Sequence, residues 1–159
     1  MPLSEAQALV RFLREIQGPT ESVRGNVDKG REIFFGNGQC SRCHMFAGVG
    51  GRLGPDLSRS ARGRKPSEIR RSITDPSASI AENFGSYEIE LANGQVLRGV
   101  SRNMDSFSIQ LMDVQERIHL LLTKNVKRST RLESSVMPAS HLSASEVEDL
   151  VAFLTTPSS

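Results

Sequence analysis

The chain has 159 residues, with 20 lysines and arginines against 18 aspartates and glutamates, so its net charge at neutral pH is +2. A net charge this small does not by itself indicate a nucleic-acid-binding protein. No run approaches the roughly 20 apolar residues that a membrane-spanning helix needs. The length fits one domain, or one domain with an inserted module.

Two helices are predicted near the N-terminus. Residues 4–17 show capping-box spacing and an apolar face, and a Gly-Pro pair follows them as a stop. A second helix is predicted from about Asp28 to the turn Gly36-Asn37-Gly38. We therefore take residues 1–25 as an N-terminal helix and linker, and residues 26–159 as one domain.

The only two cysteines of the chain are separated by two residues and are followed at once by a histidine, as Cys40, Cys43 and His44. The pattern C-x-x-C-H is typical of covalent haem attachment. Two thiols can add to the two vinyl groups of one porphyrin while the adjacent imidazole binds its iron. The sequence therefore predicts one covalent haem c.

Three other uses of the cysteine pair compete with this interpretation. A structural zinc site needs four ligands, and only His119 and His141 remain to complete one. A thioredoxin-like redox pair lies between a strand and a helix, whereas this region is glycine-rich and precedes a loop. A disulfide would close a very small ring and leave His44 without a role.

The middle of the chain changes from helical to strand patterning. Residues 48–57 are a loop by composition, and residues 66–74 are predicted to form a short helix that ends at Asp75-Pro76. From Tyr87 onward apolar and polar residues alternate. Residues 86–123 are therefore predicted to form a small antiparallel sheet of three or four strands.

The chain ends in a further amphipathic helix. Ser143 and Glu146 have the spacing of a capping box, and the apolar residues that follow recur with the helical period. This helix and the helix that starts near Asp28 bracket the haem motif and the predicted sheet.

Basic residues are concentrated in two segments. Residues 52–71 contain seven bases and two acids, and residues 124–131 contain four bases and no acid. A solvated surface explains such clusters as well as a function does. The functional interpretation is steering of an acidic redox partner or neutralisation of the haem propionates.

Together these motifs resemble those of class I mono-haem cytochromes c. The haem motif follows a helix with Gly30 and Phe34, and after it come the loop Gly54-Pro55-Asp56-Leu57, the pair Met137-Pro138 and an amphipathic helix. A narrower likeness, over residues 26–156, is to the haem-binding domain described from planctomycete and verrucomicrobial proteins. The further motifs that carry it are Ile73-Thr74-Asp75-Pro76-Ser77-Ala78, Ile80, Tyr87, Asn93-Gly94-Gln95 and Gly99. In that family the domain often ends a large protein that carries a β-propeller or a dehydrogenase.

The resemblance implies a mainly α protein with a cytochrome c fold, whose terminal helices pack around the haem and into which the sheet of residues 86–123 is inserted. It implies thioether bonds from Cys40 and Cys43 and His44 as the proximal iron ligand. It also implies that the carbonyl of Pro55 accepts a hydrogen bond from the other ring nitrogen of His44, which would raise the basicity of the ligand.

Two further features concern the helices. The resemblance implies that Gly30 and Phe34 pack against Leu150 and Phe153 where two helices cross, because glycine lets the backbones approach closely. The N-terminal helix and the inserted sheet are departures from small cytochromes of this class. They put any transfer of a docking surface in doubt.

A methionine sulfur opposite His44 would make the iron an electron carrier. Met137, in the loop before the C-terminal helix, is the candidate left by elimination and by the family likeness. The other methionines lie at the terminus, beside the histidine or in the predicted sheet: Met1, Met45, Met104 and Met112. The substitutes are His141, just past this loop, and His119, which is predicted to face solvent from a strand; either would lower the potential.

These expectations describe an electron-transfer protein, not an enzyme, with His/Met ligation and an iron that cycles between Fe(II) and Fe(III). The expected partner is a redox protein, with an acidic surface or a dehydrogenase, and neither nucleic acid nor a membrane span is expected. We expect a periplasmic or otherwise extracytoplasmic location, with the secretory signal already removed. The alternatives are an electron-accepting domain of a larger dehydrogenase, and a ligand-binding or peroxidatic haem if Met137 is not a ligand.

Overall fold

A computed structural model of the chain describes residues 5–10, 12, 21–60 and 64–156. Residues 5–10 and 12 are helical, and the rest of the helix predicted over 4–17 lies outside the described residues. The helices that follow are α1 (Val27–Phe35), α2 (Leu57–Ser60), α3 (Pro66–Thr74) and α4 (Ala144–Thr155). The prediction of a helix over 66–74 is therefore confirmed.

The strands form two antiparallel sheets. A two-stranded sheet joins β1 (Met45–Phe46) to β2 (Val49–Gly50). The larger sheet has the order β6-β5-β4-β3-β7. Its strands are β3 (Ser86–Leu91), β4 (Val96–Met104), β5 (Ser108–Met112), β6 (Ile118–Leu122) and β7 (Val126–Arg131).

The prediction of a mainly α protein is wrong. About 35% of the described residues are helical and 25% are in strands, so the protein is a mixed α/β protein with a five-stranded antiparallel sheet. This sheet runs past the predicted limit of residue 123, because β7 returns to pair with β3. Five of the six side chains of β7 are exposed, and an edge strand of this kind lacks the apolar alternation that reveals strands in a sequence.

The large sheet has an apolar core of its own. Ile89, Ile109 and Leu111 are almost completely buried. Leu121 of β6 and Val126 of β7 pack against the same cluster. Since these two strands form opposite edges of the sheet, the apolar cluster extends across its full width.

The strand β6 presents the opposite face to the one predicted. His119 and Leu121 point toward the covered side, whereas Ile118, Leu120 and Leu122 are exposed, Leu120 to 75%. The sequence is ambiguous here because three consecutive leucines supply an apolar residue to both faces of a strand. The prediction that His119 faces solvent is therefore wrong.

Helices α1 and α4 cross at close range. The Asn26 side chain caps α1 by accepting from the Lys29 N–H at 2.9 Å, and the predicted capping box at the start of α4 is present. Phe34 and Phe153 lie in one buried cluster, with ring centroids 5.6 Å apart. A Cβ atom on Gly30 would overlap the carbonyl of Asp149, so glycine is required at the crossing.

Replacing Gly30 with alanine is expected to destabilise the protein, although alanine is the better helix former by about 1 kcal/mol. The new methyl group would meet backbone atoms of α4, which cannot rotate away, and overpacking of this kind costs about 1–3 kcal/mol. Because the overlap is with backbone, the cost should lie at the upper end of this range, and we expect a net loss of about 2 kcal/mol in urea unfolding. The control is Lys29→Ala on the exposed side of α1, expected within about 0.5 kcal/mol of the parent. A Gly30→Ala protein as stable as the parent would contradict the close crossing.

Among the helices of the described residues, none has both the length and the apolar character needed to cross a bilayer.

Candidate functional site

The haem motif forms a single helical turn. A 3-10 turn runs over Cys40–Arg42, and the N–H groups of Cys43 and His44 both donate to the carbonyl of Cys40, at 3.1 and 2.9 Å. This turn keeps both thiols and the imidazole within a short stretch of backbone. The side chains of Cys43 and His44 face one common cavity, whereas that of Cys40 packs against the neighbouring helices.

Both cysteines carry free thiols. Burial raises the pKa of Cys40 and of Cys43 above the usual value, so both are protonated at neutral pH. A reactive redox cysteine instead has a lowered pKa. The two cysteines form no disulfide in the structure, and a raised thiol pKa does not favour the thioredoxin-like alternative.

His44 is buried, and its ring has one nitrogen engaged. Nδ1 donates to the carbonyl oxygen of Pro55 at 2.9 Å, the contact that the resemblance implied. Burial lowers the pKa of His44, with a smaller opposing effect of this hydrogen bond. The ring is therefore neutral at neutral pH, with its proton on Nδ1 and a lone pair on Nε2 that can bind a metal ion.

The backbone of the loop at Gly54 packs directly against the ring of His44. A Cβ atom on Gly54 would overlap the imidazole of His44, so a side chain at this position would displace either the loop or the ring. The Gly54 N–H donates to the carbonyl of Cys43 at 2.8 Å. Glycine at this position thus lets the loop hold the Pro55 carbonyl within hydrogen-bonding distance of the ring.

His44 opens on an apolar cavity. The cavity has a volume of about 160 Å³ and is partly open to solvent. Its walls come from the loop after the haem motif, from α3, from the sheet and from α4. They include Leu53, Ile69, Ile73, Phe84, Val100 and Leu154.

Met137 lines the same cavity as His44. The Met137 N–H donates to the hydroxyl of Ser135 at 3.0 Å, and the Ser135 N–H donates to the hydroxyl of Ser77 at 3.1 Å. These bonds anchor the methionine loop to the segment that follows α3. Of the methionines that the structure describes, Met137 alone lines the cavity.

The substitute ligands lie elsewhere. His141 is exposed and does not line the cavity. His119 Nε2 lies 2.9 Å from a carboxylate oxygen of Asp113. Met112 is buried between strands, and Met104 is 41% exposed. Among the candidate sixth ligands in the described part of the chain, Met137 is therefore the one that shares the cavity with His44.

The structure brings Cys43, His44, Pro55 and Met137 to one cavity. Cys40 does not line it; its thiol packs at the edge of the cluster formed by α1 and α4, with Sγ 3.5 Å from the carbonyl of Gly38. Cys40 begins the same turn that ends at Cys43, and Cys43 lines the cavity.

These residues fit a covalent haem. The cavity offers apolar walls for a macrocycle, a neutral imidazole with a free lone pair, and a thioether from a distant part of the chain. No three side chains of His, Cys, Asp or Glu lie together as a metal-binding group within the described ranges. The zinc alternative therefore lacks its ligands in that part of the protein.

The first basic segment proves to be partly structural. Arg70 pairs with Glu148 of α4 through two hydrogen bonds of 2.5 and 3.0 Å. Arg64 lines the cavity and donates to the hydroxyl of Ser72 at 3.1 Å. Arg59, Lys65 and Arg71 are exposed, and Arg62 lies outside the described residues.

Sequence reasoning did not identify the residues of the sheet region that line the site. Val100 of β4 and Phe84, just before β3, line the cavity. Each occurs in an ordinary apolar pattern of its segment, so no local signal distinguishes it from a residue of the sheet's own core. Only the packing of the sheet against the haem motif shows the difference.

No model of a known protein family matches the chain, and no curated protein is significantly similar to it. The interpretation of the site therefore rests on its own residues and their geometry.

Proposed function

We propose that the protein carries one covalently attached haem c and transfers single electrons without transforming a substrate. The observation that carries this proposal is the placement of a neutral, buried His44 and of Met137 in one apolar cavity. Cys40 and Cys43 would form the thioether bonds, and His44 and Met137 would supply the axial ligands. When bound, the haem would supply the Fe(II)/Fe(III) couple.

The chain's own residues would prepare the site for electron transfer. The turn of the haem motif and the Pro55 carbonyl hold the His44 ring in one orientation. The anchored methionine loop does the same for Met137. The apolar walls exclude water, and fixed ligands keep structural change between the two oxidation states small.

The test is expression of the chain with cytochrome c maturation proteins, followed by spectroscopy and mass spectrometry. We expect a low-spin optical spectrum. The mass of the denatured protein should exceed that of the polypeptide by one haem, since thioether bonds are covalent and persist on denaturation. The control is Cys40→Ala combined with Cys43→Ala, in which the haem should be lost to acid and organic solvent. A parent protein that yields its haem to the same extraction would overturn the proposal.

We also propose that the exposed bases of residues 59–71 steer an anionic partner and that the protein works outside the cytoplasm. Lys65 and Arg71 are exposed on one helix and its N-terminal flank. Steering by such charges raises association rates, by about tenfold or more at low salt, and is screened beyond a Debye length.

Electron exchange with ferricyanide, an anionic reagent, is expected to slow steeply as ionic strength rises. Lys65→Glu should slow the reaction several-fold at low salt, because it repels the anion near the cavity. Lys124→Glu makes the same change in net charge at the far end of the sheet and is the matched control. Stopped-flow rates that are indifferent to salt, or equal in both variants, would remove the docking proposal while leaving the haem proposal intact.

A further inference from the structure

The turn between β5 and β6 reaches the loop that follows the haem motif. One carboxylate oxygen of Glu116, in this turn, accepts hydrogen bonds from the N–H groups of Arg52 and Leu53, at 2.5 and 3.1 Å. These residues immediately precede Gly54 and Pro55. The sheet therefore holds the backbone that carries the hydrogen-bond acceptor of His44.

The loop between these contacts has little freedom. The Gly51 N–H donates to the carbonyl of Ser41 at 2.8 Å, and the Gly54 N–H donates to the carbonyl of Cys43 at 2.8 Å. A side chain on Gly54 would overlap His44. A shift of Arg52 and Leu53 would therefore be passed on to the Pro55 carbonyl.

The turn that carries Glu116 is itself rigid. The Asp113 carboxylate accepts from the N–H groups of Gln115 and Arg117, at 2.9 and 3.0 Å, and from the Arg117 guanidinium at 2.9 Å. Glu116 has φ of +61°, a conformation that glycine or asparagine adopts more readily. Its backbone position is thus set by Asp113 and by the turn, which aims the carboxylate at the loop.

A second contact from the sheet supports the same loop. The guanidinium of Arg102, on β4, donates to the carbonyl of Arg52. The same group lies over the ring of Phe84, 5.1 Å from its centroid, and Phe84 lines the cavity. The N–H and C=O groups of Arg52 are therefore both held by side chains of the sheet.

We propose that Glu116 is a positioning residue for the iron ligand His44. By binding the N–H groups of Arg52 and Leu53, it holds the Pro55 carbonyl against Nδ1, and so sets the strength of that hydrogen bond and the basicity of the imidazole toward iron. The proposal rests on the proposed function, because it assumes that His44 binds haem iron. It gives the sheet a role that the haem motif alone does not explain.

Three substitutions of Glu116 separate position from charge. Glu116→Gln keeps an acceptor oxygen at the same reach but loses the charge, whereas Glu116→Asp keeps the charge but is too short to reach both N–H groups. Glu116→Ala loses both. The matched control is Asp105→Ala, which removes a carboxylate that caps the β4–β5 turn through the N–H groups of Phe107 and Ser108 and does not touch the loop.

Two properties of the purified holoprotein are measured: the midpoint potential, and hydrogen exchange of the His44 Nδ1 proton by NMR. Weakening the Pro55 hydrogen bond makes the imidazole a poorer donor to ferric iron, so the potential should rise in Glu116→Asp and Glu116→Ala. In both variants the Nδ1 proton should exchange about tenfold faster with solvent. Exchange requires local opening of the loop, and the loss of one hydrogen bond makes this opening easier. Glu116→Gln and Asp105→Ala should match the parent in both measurements.

The outcomes distinguish the two proposals. A parent protein without a His44-ligated haem would sink the proposed function itself. If the parent is as proposed, the variants separate charge from position. The positioning role would be overturned if the potential and exchange of Glu116→Gln matched those of Glu116→Ala while those of Glu116→Asp matched the parent, because the effect would then come from the charge. If the Glu116 variants have lower melting temperatures but an unchanged midpoint potential and unchanged Nδ1 exchange, Glu116 is only structural and the positioning proposal is overturned. If Glu116→Ala does not fold, the other two variants still decide.

Discussion

If the protein binds haem as proposed, replacing Met137 with alanine is expected to remove the proposed sixth ligand and to change the optical spectrum. The weak far-red band that reports a sulfur-to-iron bond should be present in the parent and lost in the variant. Because a methionine ligand raises the potential of a haem, the midpoint potential should fall. Met137 is the one described methionine that lines the cavity with His44, so no other described methionine is placed to replace it.

The control for this prediction is Met104→Ala. Met104 ends β4, is 41% exposed and does not line the cavity, so its loss should leave the spectrum and the potential unchanged. Binding of carbon monoxide or cyanide should become fast only in the Met137→Ala protein. If the far-red band persists in that variant, Met137 is not the ligand. If the resting parent binds carbon monoxide readily, the ligand-binding or peroxidatic alternative takes precedence.

Replacing Phe34 with alanine is expected to cost about 3–5 kcal/mol of the free energy of unfolding. Phe34 is completely buried and its ring lies within 6 Å of three others: those of Phe35, Phe46 and Phe153. The cavity left by the ring would lie between α1, α4 and the strand that follows the haem motif. The total free energy of unfolding of a domain of this size is about 5–15 kcal/mol, so the expected loss is a large fraction of its stability.

Urea unfolding of the holoprotein measures this loss, and the melting temperature should fall by about 10 °C. Phe107→Ala makes the same chemical change at a ring that is 81% exposed in the β4–β5 turn, and should stay within about 0.5 kcal/mol of the parent. Equal losses in the two variants would contradict the packing of α1 against α4. A loss in Phe34→Ala alone would locate the main core at the helix crossing.

Local signals account for the elements that sequence reasoning found. The capping box of Ser143 and Glu146, the Pro-led start of α3 and the Asn93-Gly94 turn each depend on backbone conformations or hydrogen bonds within a few residues. The haem motif belongs to the same class, because a single turn of backbone carries all three chemical groups.

Features that depend on distant contacts were missed or reversed. The strand β7 carries exposed side chains, and only its hydrogen bonds to β3 make it a strand. The buried face of β6 was ambiguous because its leucines are consecutive, and the cluster around Leu111 decided it. Because the large sheet has five strands, the prediction of a mainly α protein was wrong.

The sequence by itself determined the C-x-x-C-H motif, the ends of most described helices and the presence of an antiparallel sheet, since each is encoded in short-range patterns and in residues with special backbone preferences. Only the tertiary structure decided that Met137 faces the cavity of His44, that the sheet supplies part of its wall, and that Glu116 holds the loop bearing Pro55. Burial and hydrogen bonding between residues far apart in the chain depend on how the elements pack, and no local pattern records that packing.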